Sequence, residues 1–338
     1  MTNRPIIAIS TGDPSGIGPE ISVKALKHKE IYDICRPFLI GDGAVFSDGS
    51  GSTPAFHPAD RVEAMEFHPG IPDLLDLNLL DRRPPVGVVN EKSGNAAFQY
   101  VKRAIELAMD GQADATVTAP ISKEAINLAG HKFAGHTEIY AHYTNTKDYA
   151  MLLAYGHFRV IHVSTHVPLR DACDLVKKDR VFQVIKMADE ACKRLGIPNP
   201  RIAVAGLNPH AGENGMFGRE ETDEILPAVR EAKQAGIHAD GPIPADTVFS
   251  RLSGKMYDIC VCMYHDQGHI PTKLLGFQWD ETNRKWRSVS GVNITVGLPI
   301  IRVSVDHGTA FDIAGKGIAS EESMVNAISC AAQFAKNK

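Results

Sequence analysis

Short apolar runs and longer amphipathic stretches alternate along this chain. Ile6–Ser10 is an apolar run of strand length, followed by the Gly- and Pro-containing stretch Gly12–Glu20. From Pro19 onward Ile21, Ala25 and Leu26 share one face, which predicts a helix. Phe38–Ile40, followed by Gly41-Asp42-Gly43, repeats the strand-to-loop step. Asn95–Met109 is the clearest helix, with Ala97, Val101, Ala104, Ile105 and Ala108 at helical spacing. Further apolar runs predict strands at Ala115–Thr118, Tyr149–Tyr155, Val160–Ser164, Ile202–Ala205, Tyr257–Met263, Val292–Val296 and Ile300–Ser304. Amphipathic patterns predict helices at Arg180–Leu195, Glu220–Ala235 and Glu321–Ala335. Such alternation defines an α/β class with a largely parallel sheet. The pattern is weak over 48–85, where Gly, Pro and Asp accumulate.

Composition narrows the picture. A chain of 338 residues corresponds to about two domains. With 36 Lys and Arg against 40 Asp and Glu, the net charge of −4 excludes a strongly basic nucleic-acid binder. None of the six cysteines lies in a Cys-x-x-Cys spacing, so they read as buried free thiols of a reducing compartment. The N-terminus lacks a signal-peptide pattern, and no run reaches the ~18 apolar residues of a membrane span. A cytoplasmic protein with no membrane or nucleic-acid partner is expected.

The chemistry concentrates in histidine, of which there are 14. His166, His210 and His265 each stand just beyond the carboxyl end of a predicted parallel strand, where ligands bind in open α/β sheets. Three neutral imidazoles at one such edge suit Zn²⁺ or a similar divalent ion and leave positions open for substrate. Taken singly, each would more simply cap a strand. Asp266 and His269 follow His265 and could be ligands, orienting groups or a base. Asp246 reads equally well as a general base or as a helix N-cap ahead of Val248–Leu252. His162, inside its strand, reads as a core residue; His28, His57, His68, His131 and His238 read as solvated.

Two loops suit anions. Gly12–Glu20 runs from a strand into a helix, although its glycines fit neither a dinucleotide fingerprint nor a P-loop, and a tight turn would equally require them. Gly135-His136-Thr137-Glu138 opens another helix, with Thr137 as its cap and His136 facing a phosphate or carboxylate. Asp306–Ala319 is a Gly-rich stretch after a strand and suits adenosine recognition. Lys123, Lys273 and Arg302 lie near these loops in sequence.

The Asp306–Ala319 segment resembles the cofactor loop of isocitrate and isopropylmalate dehydrogenases. The wider set resembles the 4-hydroxythreonine-4-phosphate dehydrogenase family, PdxA. It comprises Gly-Asp-Pro-Ser-Gly-Ile-Gly-Pro-Glu, Gly-His-Thr-Glu, Asn-Pro-His-Ala-Gly-Glu, Pro-Ala-Asp-Thr, Tyr-His-Asp-Gln-Gly-His, Gly-Val-Asn-Ile-Thr and Ser-Val-Asp-His-Gly-Thr-Ala, in order from 12 to 319. Met216-Phe217-Gly218, Asp148–Met151 and Phe311-Asp312-Ile313 look closer to the paralogous 4-phospho-D-threonate or 4-phospho-D-erythronate 3-dehydrogenases.

This resemblance implies two α/β/α domains like those of isocitrate dehydrogenase, with the active site in the cleft between them. The first would comprise 1–135 with 300–338, and the second 136–299. It implies NAD or NADP, a divalent metal (Zn²⁺, Mg²⁺, Mn²⁺ or Co²⁺) on His166, His210 and His265, and a homodimer in which one ligand comes from the partner subunit. Substrate contacts carry over onto His136, Thr137, Lys273, Asn293 and Arg302, and cofactor contacts onto His307, Gly308, Thr309 and Asp312. The expected reaction oxidises the C3 hydroxyl of a 4-phosphorylated four-carbon acid, with Asp246 or a water it orients as base, and then releases CO₂. From 4-phospho-D-threonate this gives dihydroxyacetone phosphate. 4-Hydroxythreonine-4-phosphate is the alternative substrate, and a metal-dependent hydrolase without nicotinamide the alternative class.

One departure from the family is Gln278–Ser290, where many relatives have almost nothing. It holds both tryptophans, Trp279 and Trp286, and reads as a β-hairpin with a cross-strand aromatic pair. Its position between Lys273 and Asn293 admits a surface hairpin, a lid or a dimer contact.

Overall fold

The computed structural model describes residues 4–46, 56–281, 285–289 and 291–337. Its strands are β1 (Ile6–Ser10), β2 (Arg36–Gly41), β3 (His57–Ala59), β4 (Asp73–Asp76), β5 (Ala115–Thr118), β6 (Ala150–Tyr155) and β7 (Phe158–His162). They continue with β8 (Ile202–Ala205), β9 (Ala239–Ile243), β10 (Ile259–Cys262), β11 (Phe277–Asp280), β12 (Lys285–Val289), β13 (Val292–Val296) and β14 (Ile301–Val305). The chain divides into two compact units. The first runs to Asp148 and resumes at Leu298; the second is Tyr149–Gly297.

In the first unit the strand order is β3-β4-β2-β1-β5-β14, with parallel pairing throughout. Ile7, Ala8 and Ile9 are fully buried, as expected of a parallel strand covered on both faces. One face takes helix Glu91–Met109, whose Ala96, Tyr100, Ala104 and Leu107 pack on Ala8, Phe38 and Ile40. Its start is fixed by Asn90, whose side chain accepts the Ser93 N–H at 2.9 Å. Helix Glu322–Lys336 packs against β5 and β14. β1 and β5 connect to opposite sides of the sheet, so the order reverses between them, and ligands of open α/β sheets sit beyond the carboxyl ends at such a point.

The boundary falls at 148/149 rather than at 135/136. Helix His136–Tyr143 belongs to the first unit because Ile139 and Tyr140 enter a core with Phe98, Val101, Ile105 and Ile126. The Tyr140 hydroxyl also donates to Thr116 Oγ1 on β5, at 2.9 Å.

In the second unit the order is β13-β6-β7-β10-β8-β9. β6 runs antiparallel to β13 and β7, while β7, β10, β8 and β9 are mutually parallel. Helix Ala245–Ser253 covers one face through Val248 and Leu252, and helix Lys178–Arg194 packs on β7, β10 and β8. The hairpin expected near Gln278–Ser290 is present in the backbone: β11 and β12 pair antiparallel with Trp279 opposite Trp286. The tryptophan side chains lie outside the described residues.

None of the six cysteines is in a disulfide; four are buried, but Cys173 and Cys330 are only half-buried. Among the described residues no helix is long and apolar enough to cross a membrane.

Candidate active site

Two clusters emerge, one in each unit. In the first unit the loop after β1 is tightly specified. Gly12 has φ +73°, and a Cβ there would lie 2.3 Å from the Pro120 carbonyl oxygen, so only glycine fits. Asp13 is fully buried; its Oδ1 accepts the Ser15 N–H at 2.8 Å, while Oδ2 has no hydrogen-bond partner. Burial pushes its carboxyl up to about 6, against the pull of the backbone hydrogen bonds at Ser15 and Ser122. The same loop meets the Gly-rich segment after β14: Ile17 N–H donates to the Thr309 carbonyl at 3.0 Å. Lys24 Nζ donates to the carbonyls of Gly317 and Ala319, and Glu20 accepts the Ala319 N–H. His307 Nδ1 lies 3.0 Å from the Gly308 carbonyl oxygen, and Gly308 and Asp312 are exposed. The expected cofactor segment is thus seated on the helix that starts at Gly18.

Beside β5 and β14 lies a buried cation. Arg302, on β14, is 2 % exposed, lies over the Tyr140 ring at 5.6 Å and donates to Thr118 Oγ1 at 3.2 Å. Burial lowers its guanidinium to about 10, which leaves it charged at neutral pH. His136 opens helix His136–Tyr143, with Thr137 behind it. Burial, then Arg302 and Lys123, hold His136 well below the usual imidazole range, and its Nε2 is buried with no hydrogen-bond partner. A neutral imidazole, a buried guanidinium and a helix N-terminus are groups whose chemistry suits an anion. The sequence pointed to His136, Thr137 and Arg302; Tyr140, which supports Arg302, carried no local signal.

In the second unit, β7, β10 and β8 are adjacent and parallel, and His166, His265 and His210 follow them respectively. His265 begins helix His265–Gly276, and its ring centroid lies 5.8 Å from that of His166. Both line a pocket of about 290 Å³ with Tyr264, Asp266 and Leu169. His265 Nδ1 lies 2.6 Å from Asp266 Oδ1, which assigns the proton to Nδ1 and the lone pair to Nε2. His269 stacks on His265 at 3.6 Å, and its Nδ1 donates to the His265 carbonyl at 2.9 Å. Burial, then neighbouring imidazoles, lower His269 to about 3. His162 is buried as expected, donating from Nδ1 to the Met151 carbonyl at 3.0 Å.

These imidazoles fit a borderline divalent ion by donor chemistry. Among the described residues, however, no three His, Cys, Asp or Glu side chains form a group able to hold one. His166 and His265 are brought together, whereas His210 is exposed on the neighbouring loop, with Phe217 beside it at 6.3 Å.

The His210 loop is unusual. His210, Ala211, Gly212, Glu213 and Asn214 all have φ between +41° and +78°. Left-handed backbone costs a non-glycine residue roughly 1–2 kcal/mol, so four such residues in a run of five require external support. Gln267 ties this region to the His265 helix: its side chain accepts the Met263 N–H at 2.7 Å and donates to the Gly206 carbonyl at 2.9 Å.

Other expectations place differently. Asp246 is exposed in the first turn of helix Ala245–Ser253, and Pro244 takes the cap position expected of Asp246, because the helix starts two residues earlier. Lys273 lies in the last turn of the His265 helix with Nζ 4.6 Å from the Phe277 ring centroid, and Asn293 stands on β13 opposite Leu153. Three histidines expected to be solvated have partners instead. His28 bridges Glu30 and Glu321, His57 meets Asp73 at 2.7 Å, and His131 stacks on Phe98 at 3.7 Å.

Fold and side chains together define a two-unit α/β protein with ligand chemistry at parallel strand ends. The family described as pyridoxal phosphate biosynthetic protein PdxA matches residues 33–331, and the chain belongs to that family. It is 45% identical over 338 residues to the D-threonate 4-phosphate dehydrogenase of Cupriavidus necator, covering 99% of this chain and 98% of the relative. A solved 4-hydroxythreonine-4-phosphate dehydrogenase from Klebsiella pneumoniae is 43% identical with TM-score 0.84, covering 98% of this chain and 99% of that one. A terephthalate 1,2-cis-dihydrodiol dehydrogenase from Burkholderia xenovorans is 31% identical with TM-score 0.67, at 98% coverage of both chains.

Proposed function

We propose that this chain is a dehydrogenase that oxidises the C3 hydroxyl of a 4-phosphorylated four-carbon hydroxy acid and releases CO₂, with 4-phospho-D-threonate or 4-phospho-D-erythronate as substrate. The observation that carries this reading is the buried Arg302 near the half-buried His136, whose Nε2 is enclosed, in a chain similar over its whole length to a D-threonate 4-phosphate dehydrogenase. A hydrolase reading finds no support, since these relatives are named dehydrogenases.

A divalent ion on His166, His265 and His210 would supply Lewis acidity toward oxygen, and NAD or NADP at His307, Gly308, Thr309 and Asp312 would accept hydride. A homodimer would let one of the three imidazoles come from a second copy. Arg302 and the amides opening helix His136–Tyr143 bind the phosphate, with the guanidinium already desolvated. His136 stays neutral, and Thr137 stands at the same helix start. Lys273 and Asn293 orient the carboxylate end. Asp246, directly or through a water, takes the C3 hydroxyl proton while the C3–H electron pair leaves with hydrogen as hydride. The resulting β-keto acid loses its C1 carboxylate as CO₂, and a proton enters at C2, giving dihydroxyacetone phosphate.

The test compares 4-phospho-D-threonate, 4-phospho-D-erythronate and 4-phosphohydroxy-L-threonine with NAD and NADP, following reduced nicotinamide. The reading expects the first or second to give the highest kcat/KM. Preference for the third would reassign the substrate to the aminated acid, and no reduction with any of them would remove the dehydrogenase reading.

A further inference from the structure

Glu221 is 3 % exposed and opens the π-helical turn Glu221–Ile225, distant in sequence from any strand end. Its carboxylate faces inward to the His210 loop. Oε1 accepts the N–H groups of Leu207 at 2.8 Å and Asn208 at 2.7 Å, and Oε2 accepts Asn208 Nδ2 at 2.9 Å. The same Nδ2 donates to Glu220 at 2.7 Å. The left-handed run His210–Asn214 follows immediately. Gly212, at its centre, passes so close that a Cβ would lie 2.6 Å from Glu221 Oε2. Three donors thus converge on one acceptor-only group beneath a strained turn.

We infer that Glu221 is a positioning residue, whose buried carboxylate templates the left-handed turn that presents the His210 imidazole. This rests on the reading of His210 as a metal ligand. Glutamine has nearly the same shape but offers one acceptor oxygen and two N–H donors. In its place an amide N–H must face a backbone N–H or the Asn208 amide, and the turn loses its template.

The test is a Co²⁺ titration of the purified full chain, followed by visible absorption, whose bands report ligand number and geometry. Glu221→Gln is expected to weaken Co²⁺ binding about 10- to 100-fold and to alter the spectrum, as loss of a supporting partner does at metal sites. Ala211→Gly added to that variant should recover at least part of the affinity, because glycine adopts the left-handed conformation without strain. Hydrogen exchange of residues 207–215 should rise in Glu221→Gln while β8 stays protected. Wild-type affinity and spectrum in Glu221→Gln, or no recovery with Ala211→Gly, would overturn the proposal. If Glu221→Gln does not fold, Asn208→Ala decides: it keeps the carboxylate but loses the side-chain donor, and must weaken Co²⁺ measurably. His210→Ala separates the two layers of the argument, since unchanged Co²⁺ binding there would remove the metal reading itself.

Discussion

The two clusters solve opposite physical problems. In the first unit the charge is inside: Arg302 is buried on β14, and His136 is held neutral by burial and two cations. In the second unit the donors are outside: His166 and His210 are exposed at the carboxyl ends of parallel strands. A buried cation has already lost its water, so an arriving anion regains hydrogen bonds without a further desolvation cost. Exposed imidazoles remain available to groups outside the unit, and their accuracy rests on supporting contacts such as Asp266 and Glu221. The first arrangement encloses its charge within the core; the second exposes its donors, and the His210 turn needs supporting contacts to hold its strained backbone.

This contrast predicts a split between activity and stability. The largest effect is expected for His265→Ala, with kcat down on the order of 10³-fold, about 4 kcal/mol in transition-state stabilisation. Its melting temperature should barely move, because the side chain is only partly buried; a collapse of stability would place His265 among the structural residues. Arg302→Met should raise KM for the phosphorylated substrate about 10- to 100-fold, as loss of a charge-assisted contact does, and leave the unphosphorylated analogue little affected. Stability should hold or rise, since a buried charge is replaced by an apolar chain of similar volume. Equal KM changes for both substrates would deny Arg302 the phosphate. Asp266→Asn should weaken divalent-metal binding about tenfold with no change in phosphate affinity.

The smallest effect is one of pH. Asp13 titrates near 6 in the fold against an ordinary value of 3.8, so the folded state binds the proton more tightly. The penalty of its burial is therefore small at pH 4, grows as pH rises from about 3.8 to about 6, and levels off above that at about 3 kcal/mol. Asp13→Asn should raise the melting temperature by a few degrees at pH 7.5 and by little at pH 4. A gain of equal size at both pH values would show that the carboxyl does not titrate there.

Much of this was legible in the sequence, for identifiable reasons. The bounds of Ile202–Ala205 are legible because a covered parallel strand is a continuous apolar run, and those of Ala115–Thr118 because β-branched residues fill it up to Ala119-Pro120. β9 has no strand signal because Ala-Asp-Gly-Pro-Ile carries two strand breakers, tolerated at a sheet edge where only β8 pairs with it. The helix after His265 was hidden by Gly268 and Pro271. At the site, the strand-end rule placed His166 beside His265, since their strands are neighbours. It could not reveal Glu221 or Tyr140, whose roles depend on contacts between segments far apart in sequence. Nor could it show that helix His136–Tyr143 packs with the first unit, because its Ile139 and Tyr140 meet partners some forty residues upstream.

The central proposal is that this chain carries out a metal-dependent dehydrogenation of a phosphorylated acid. The most direct test follows reduced nicotinamide and CO₂ together, with 4-phospho-D-threonate and NAD or NADP, before and after chelation and after return of a divalent ion. The account predicts equal amounts of both products, loss of both on chelation, and recovery with the ion. Reduction that survives complete chelation, or an absence of reduction with the ion present, would contradict it.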